Sequence, residues 1–296
     1  MVKISGFIIA KNEQTHIAKA IISLRAVADE VIVVDSGSTD NTVSIASLLG
    51  AKVVFNAWNG YLAQKIYGES LCAHDWIINI DADEELSEEL IAEINSAKKT
   101  KLLGKFVAYK LKIAILYRNE IKPRLFAPIN NTIRFYNKNY AGFSFCKGDS
   151  THDKVKLKDP NSSEYYVSYF RYKVYHRSGT SITQLVNKAN FYSTEQAEAM
   201  FFKGRKISTI RIFLEFPLWI FKAFFLRRYF VFGADGLIDS IIFAFARFIR
   251  LAKLREIYKQ KDYQTIHNHN IPDVNNPHLK ILDQKKNKQT DSKFIN

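Results

Sequence analysis

Apolar residues come in short, nearly continuous runs through the first hundred positions, and each run ends in a polar cluster. The runs are Ile4–Ala10, Val31–Val34, Ala51–Phe55 and Trp76–Ile80. Nearly continuous rather than alternating apolar character marks strands covered on both faces. His16–Arg25 and Thr42–Leu49 lie between the runs, and Ser87–Ser96 follows them; all three carry apolar residues at helical spacing. The alternation predicts an α/β fold, a mostly parallel sheet with helices on both sides. From Phe106 to Tyr175 the pattern changes to shorter alternating stretches, such as Phe106–Ile115 and Thr132–Tyr136, separated by basic and Asn-rich loops. These read as mixed sheet that completes a site, and Ser181–Phe202 reads as a long helix.

In such sheets ligands bind beyond the carboxyl ends of the strands, where this chain places its polar clusters. Ala10-Lys11-Asn12-Glu13 follows the first run, and Asp35-Ser36-Gly37-Ser38-Thr39-Asp40 follows the second. Asp40 is placed to cap the helix from Thr42. Asp35 is placed to accept hydrogen bonds from a base or ribose, although a turn rich in Ser, Gly and Asp explains the segment equally well. The fourth run ends in Asp81-Ala82-Asp83. Side chains two apart on a strand face the same way, roughly 6–7 Å apart. Hard divalent cations often bind through one or two carboxylates plus substrate phosphates. The alternative is the acidic first turn of a helix, since Glu84, Glu85, Glu88 and Glu89 follow.

Length and charge widen the picture. At 296 residues the chain fits one large domain, or a domain of about 200 residues with an appendage. A formal charge of +14 asks for an anionic partner: nucleic acid, an acidic membrane surface or a phosphorylated substrate. No nucleic-acid motif is present, so nucleic acid is not the expected partner. Cys72 and Cys146 make no disulfide framework, which points to a reducing compartment. The start runs straight into a strand without a signal-peptide pattern, so a cytoplasmic protein is expected.

Residues 207–254 are aromatic and basic together. Ile212-Phe213-Leu214, Phe216–Phe221, Phe224-Phe225-Leu226 and Ile241–Phe245 are broken by Arg211, Glu215, Lys222, Arg227, Arg228, Asp239 and Arg247. No run reaches the roughly 20 apolar residues of a spanning helix. Amphipathic helices lying in a membrane interface fit better, with Arg247, Arg250 and Lys253 at helical spacing facing anionic headgroups. Helices packed on the catalytic domain with a solvated basic face are the alternative. The polar, Lys-rich tail from about Asn275 is expected to be disordered.

Val33 to Asp40, then Asn59-Gly60-Tyr61-Leu62-Ala63-Gln64-Lys65, then Asp81-Ala82-Asp83-Glu84 together resemble family 2 glycosyltransferases of the GT-A fold. Within them the chain is most similar to the lipopolysaccharide-core β-1,4-glucosyltransferase branch. The likeness continues through Thr151-His152-Asp153, Tyr175-His176-Arg177-Ser178, Lys188 to Ser193, and the late segment from Phe216 to Leu254.

The resemblance implies a GT-A domain over residues 1–205, with a nucleotide-sugar half (1–100) and an acceptor half (101–205). Membrane-associating helices over 206–260 and a polar tail over 261–296 follow. It implies a nucleotide-sugar donor, expected to be uridine-diphosphate-linked, with Asn12, Glu13, Asp35, Ser36 and Asp81 at the nucleotide. Asp83 would hold Mg²⁺ or Mn²⁺, and Lys65 and Arg134 would add positive charge at the diphosphate. Inversion needs a base for the acceptor hydroxyl, which the family supplies as Glu after His. Here the pair is His152-Asp153, one carbon–carbon bond shorter, about 1.5 Å, with Asp149 as a second candidate. His152 and His176 would contact the acceptor. The implied reaction is hexose transfer to a lipid-linked acceptor such as a lipopolysaccharide inner core, at the cytoplasmic face of a bacterial inner membrane. A polyprenyl-phosphate acceptor is one alternative, and a non-catalytic membrane- or nucleic-acid-binding protein is another.

Overall fold

A computed structural model describes residues 2–100, 102–117, 120–144, 154–161, 166–177 and 181–267. The first strands are β1 (Ile4–Ala10), β2 (Glu30–Asp35), β3 (Lys52–Phe55) and β4 (Trp76–Asn79), joined by α1 (Ile17–Arg25), α2 (Thr42–Leu48) and α3 (Tyr61–Ser70). These four strands are mutually parallel, with Ala10 opposite Asp35 and Phe7 opposite Asn79. Their carboxyl ends, and the polar clusters that follow, therefore meet at one edge.

The chain continues through β5 (Glu84–Leu86), α4 (Glu88–Lys99), β6 (Ala108–Ile115), β7 (Ile129–Asn137), β8 (Ala141–Gly142), β9 (Lys156–Leu157) and β10 (Val167–His176). One eight-stranded sheet runs in the order β3-β2-β1-β4-β7-β6-β10-β5, and β8 pairs with β9 alongside it. β7 and β5 run against their neighbours; the other six strands share one direction. The acidic stretch after Asp83 is thus a strand first and a helix second. Glu84 lies buried in β5, and α4 starts only after Ser87, whose side chain accepts from the Leu90 N–H.

Alternate residues of β1 feed two cores. Ile4 and Ile8 join α1 and α4 residues such as Ile21, Leu24 and Ile94, while Phe7 and Ile9 face Leu62, Ile66 and Tyr67 of α3. α3 approaches the sheet so closely that a Cβ at Gly68 would lie 2.6 Å from the Phe7 ring. The N-cap of α2 is Asn41, whose side chain makes no cap bond; Asp40, one residue earlier, accepts from the N–H of Thr42, the first residue of α2, at 3.0 Å.

Among the described residues three α-helices follow the sheet: α5 (Ile182–Phe202), α6 (Thr209–Phe221) and α7 (Gly233–His267). α7 packs along both of the others, and its start reaches the sheet domain, where Phe232 stacks on Tyr117 at 4.6 Å. Two sequence expectations are corrected here. First, Arg250 and Lys253 do not face outward. Arg250 is 9% exposed and bonds Gln196 and Glu215, while the Lys253 ammonium donates to Asn190, Ser193 and Thr194 of α5. Helical spacing puts residues on one face, but that face turned out to be the inner one. Second, Tyr229–Lys261 is long and apolar enough to cross a membrane by length and composition. Asp235, Asp239 and Arg247 punctuate it too sparsely to end the apolar stretch.

Candidate active site

The site forms where β1, β2 and β4 end. Asn12, in a left-handed conformation (φ 56°), accepts the Thr39 N–H at 2.8 Å, and its own N–H donates to Ser38 Oγ at 2.9 Å. The Glu13 N–H donates to Thr42 Oγ1 at 2.8 Å, and its carboxylate meets His16. These bonds stitch the loop after β1 to the loop after β2. Asp35 is buried and accepts the N–H groups of Gly37 (2.8 Å) and Ser38 (3.0 Å). The turn needs Gly37, whose φ is +89°. Asp35 thus shapes its own loop, while Ser36 lies beside it with its N–H on Ala10 O.

Gly60 (φ 96°) opens α3, which carries Lys65 inward until it is 1% exposed. Its ammonium lies 3.0 Å from Asp81 Oδ1. Arg134, from β7, reaches the other side of the same carboxylate: Nη2 lies 2.8 Å from Asp81 Oδ2, and Nη1 donates to Asn79 Oδ1 at 2.9 Å. Burial pushes the Asp81 carboxyl up, yet Arg134 and Lys65 outweigh it and hold it well below the usual carboxylate range. Glu84 closes the cluster, accepting the Asp81 N–H at 2.9 Å. Its carboxyl moves up, because burial and the Asp81 charge together exceed the help from Arg134.

Asp83 has a different neighbour. His176, at the end of β10, places Nε2 3.3 Å from Asp83 Oδ2. The register makes this contact: His176 pairs with Glu84 across β10 and β5, and the Arg177 N–H donates to Asp83 O at 2.9 Å. Burial lowers the His176 imidazolium, but the hydrogen bond and charge of Asp83, then Glu84 and Asp81, raise it to about 9. Burial raises Asp83, and the His176 contact overcomes that and brings it down. Two ligands at right angles on one cation, each about 2.1 Å away, sit about 3 Å apart, so this pair has the spacing of two metal donors. Among the described residues no group of three or more His, Cys, Asp or Glu is assembled for a metal. Hard divalent ions accept further ligands from substrate and water.

Asn79, Glu84, Tyr61 and Tyr192 belong to the site although no role was expected of them. Asn79, wholly buried in an apolar run, was the visible signal. The Tyr61 and Tyr192 hydroxyls contact one another, joining the start of α3 to α5 beside Asp81 and Asp83. His152, Asp153 and Asp149 lie outside the described residues.

The glycosyl transferase family 2 model matches residues 5–150. An uncharacterized glycosyltransferase of Rickettsia conorii is 54% identical over 254 residues, covering 86% of this chain and 90% of the relative. This chain belongs to glycosyl transferase family 2. The glycosyltransferase is also 26% identical to the lipopolysaccharide core biosynthesis glycosyltransferase LpsC of Rhizobium meliloti, over 87% of this chain and 94% of that one. Among solved structures it is similar to glucosyl-3-phosphoglycerate synthase from Mycobacterium tuberculosis in complex with Mn²⁺, uridine diphosphate and glucosyl-3-phosphoglycerate. That likeness has a TM-score of 0.31 and 26% identity, covering 40% of this chain and 45% of that one. The glycosyltransferase thus spans less than half of that structure's length. Its sheet, flanked by helices with the carboxylates at the strand ends, is the GT-A arrangement.

Proposed function

We propose that this glycosyltransferase moves a hexose, glucose in the first instance, from a uridine-diphosphate sugar to a lipid-linked acceptor such as a lipopolysaccharide inner core, with inversion. The observation that carries this reading is the pairing of Asp83 with His176 beside the Lys65–Asp81–Arg134 cluster. Asp83 and His176 would hold Mg²⁺ or Mn²⁺, which when bound supplies Lewis-acid neutralisation of the departing diphosphate. Lys65 and Arg134 keep Asp81 ionised and fixed, so that it orients the ribose side of the donor. Asn12, Glu13, Asp35 and Ser36 hold the two loops that receive the nucleotide. Asp153 takes the acceptor hydroxyl's proton, with His152 alongside. The similarity to LpsC, a lipopolysaccharide core biosynthesis glycosyltransferase, supports a lipopolysaccharide-core acceptor; the reaction would then take place at the cytoplasmic face of the inner membrane.

The test is release of uridine diphosphate with Mn²⁺ and a phosphorylated lipid-core acceptor. Asp83→Ala should cost at least about a hundredfold in kcat, and Asp153→Asn about a hundredfold or more with donor affinity retained. Metal-independent turnover, or near-normal transfer by both variants, refutes the reading.

A further inference from the structure

Helix α6 turns its apolar side away from the protein. Ile210, Phe213, Leu214, Leu218 and Phe221 point outward with 71, 76, 49, 49 and 54% of their surface exposed, while Glu215 is buried at 7%. Beside it, α7 exposes Leu237, Ile238, Ile241 and Phe245. Proteins that live wholly in water rarely leave a large apolar patch uncovered, and such patches mark interaction surfaces.

Cations gather at the same place. Trp219 of α6 and Phe243 of α7 meet edge to face at 5.7 Å. Around Trp219 stand Arg247, 3.8 Å from the ring centre, Lys222 at 5.0 Å and Arg227 at 5.7 Å. The Nε atoms of Arg247 and Arg250 are buried without a hydrogen-bond partner. Burial lowers the Arg247 guanidinium, and Arg250, Arg227 and Arg211 push it further, to about 10. The carboxylate that opposes this is Glu215, which already accepts from Arg250 at 3.1 Å. Positive charge is thus concentrated beside an apolar face, which suits a ligand with an anionic head and an apolar body.

The apolar stretch of α7 is tied to the globular part at both ends. Phe232 stacks on Tyr117, and Lys253 is bonded to α5 at Asn190, Ser193 and Thr194, adjoining Tyr192 and its contact with Tyr61. A segment held at both ends by one body cannot place its ends on opposite sides of a bilayer, so it lies along the surface.

We infer that Lys222, Arg227 and Arg247 around Trp219 form a seat for the phosphate headgroup of an anionic lipid, with the exposed faces of α6 and α7 resting in the acyl boundary of the leaflet. This deepens the lipid-linked-acceptor reading and rests on it for its purpose. Vesicle binding is read without turnover, so the two fail separately.

The experiment is co-sedimentation of the full chain with vesicles of phosphatidylglycerol in phosphatidylcholine, and of phosphatidylcholine alone. The exposed pair Lys222→Glu with Arg227→Glu should weaken binding to the anionic vesicles about tenfold or more, as should Phe213→Glu with Phe221→Glu. Lys19→Glu with Lys52→Glu, an equal charge change on α1 and β3, should shift it by less than about threefold. Circular dichroism confirms that each pair folds. Equal losses in the two charge-reversed pairs reduce the attraction to net charge and overturn the seat. So do equal binding to both vesicle types, no vesicle binding by wild type, or full release by millimolar inorganic phosphate. Vesicle binding as expected, with no uridine diphosphate released, would sink the transfer reading and leave the lipid seat standing.

Discussion

Helix α4, on the sheet, buries Leu90, Ile94 and Ala97 and turns Glu88, Glu89 and Lys99 to water, whereas α6 buries Glu215 and turns Ile210, Phe213, Leu214 and Phe221 outward. The two regions also bury charge differently. In the sheet domain Lys65 and Arg134 converge on one carboxylate, Asp81, whose side chain stays a third exposed. Among the late helices Arg250 and Glu215 are both buried, and with Gln196 they join α5, α6 and α7. The first arrangement keeps a carboxylate ionised at the strand ends; the second fastens helices whose outer surface is apolar. A buried ion pair has no fixed meaning until the medium outside it is known.

Removing the shared carboxylate in each region should separate them most sharply. Asp81→Ala removes the carboxylate on which Lys65 and Arg134 converge and should reduce kcat/KM at least about a hundredfold. Glu215→Ala should leave turnover on a soluble acceptor within about twofold. It should instead cost roughly 3 kcal/mol of stability by leaving the buried Arg250 charge without its carboxylate, measured by urea denaturation. Equal kinetic losses in the two variants would erase the distinction.

Acidity provides the next contrast. The folded His176 pKa of about 9 lies above its ordinary 6.5, so its contact with Asp83 stabilises the metal-free protein fully below about pH 6.5. That contribution fades as pH rises through 9. A cation needs the neutral ring, so Mn²⁺ affinity, followed by electron paramagnetic resonance, should rise about tenfold per pH unit between pH 6.5 and 9. His176→Gln should flatten that slope, and the Glu215 variant should keep it. A flat wild-type profile would remove His176 from the metal pair.

The smallest effect belongs to the apolar face. Ile210→Lys with Leu214→Lys should change stability by less than about 0.5 kcal/mol, because exposed positions contribute little packing. It should nevertheless raise solubility in detergent-free buffer. A large loss of stability would mean that the face is covered by the protein itself.

Much of the donor edge was legible in the sequence. Nearly continuous runs such as Ile4–Ala10 and Trp76–Ile80 announce covered strands, and the order of Asp35, Lys65 and Asp83 marks the family. Three things were not legible. α3 has weak periodicity and its residues were noticed only as a motif. The partnership of Asp83 with His176 spans 93 positions and depends on β10 pairing with β5. The orientation of the late helices failed for a more general reason. Periodicity tells which residues share a face, but not whether that face looks in or out, and Arg250 and Lys253 were assigned to the wrong side on that account.

Lys253 has a mechanical consequence. Its ammonium is held by four oxygens of α5, from Asn190, Ser193 and Thr194. Tyr192, within the same turn of α5, touches Tyr61 at the start of α3, beside Asp81 and Asp83. A load on α7 therefore cannot move it away from the sheet without either stripping that ammonium or dragging Tyr192 along. Helix α7 and the start of α3 are thus coupled through a single turn of α5, and a displacement of one is passed to the other.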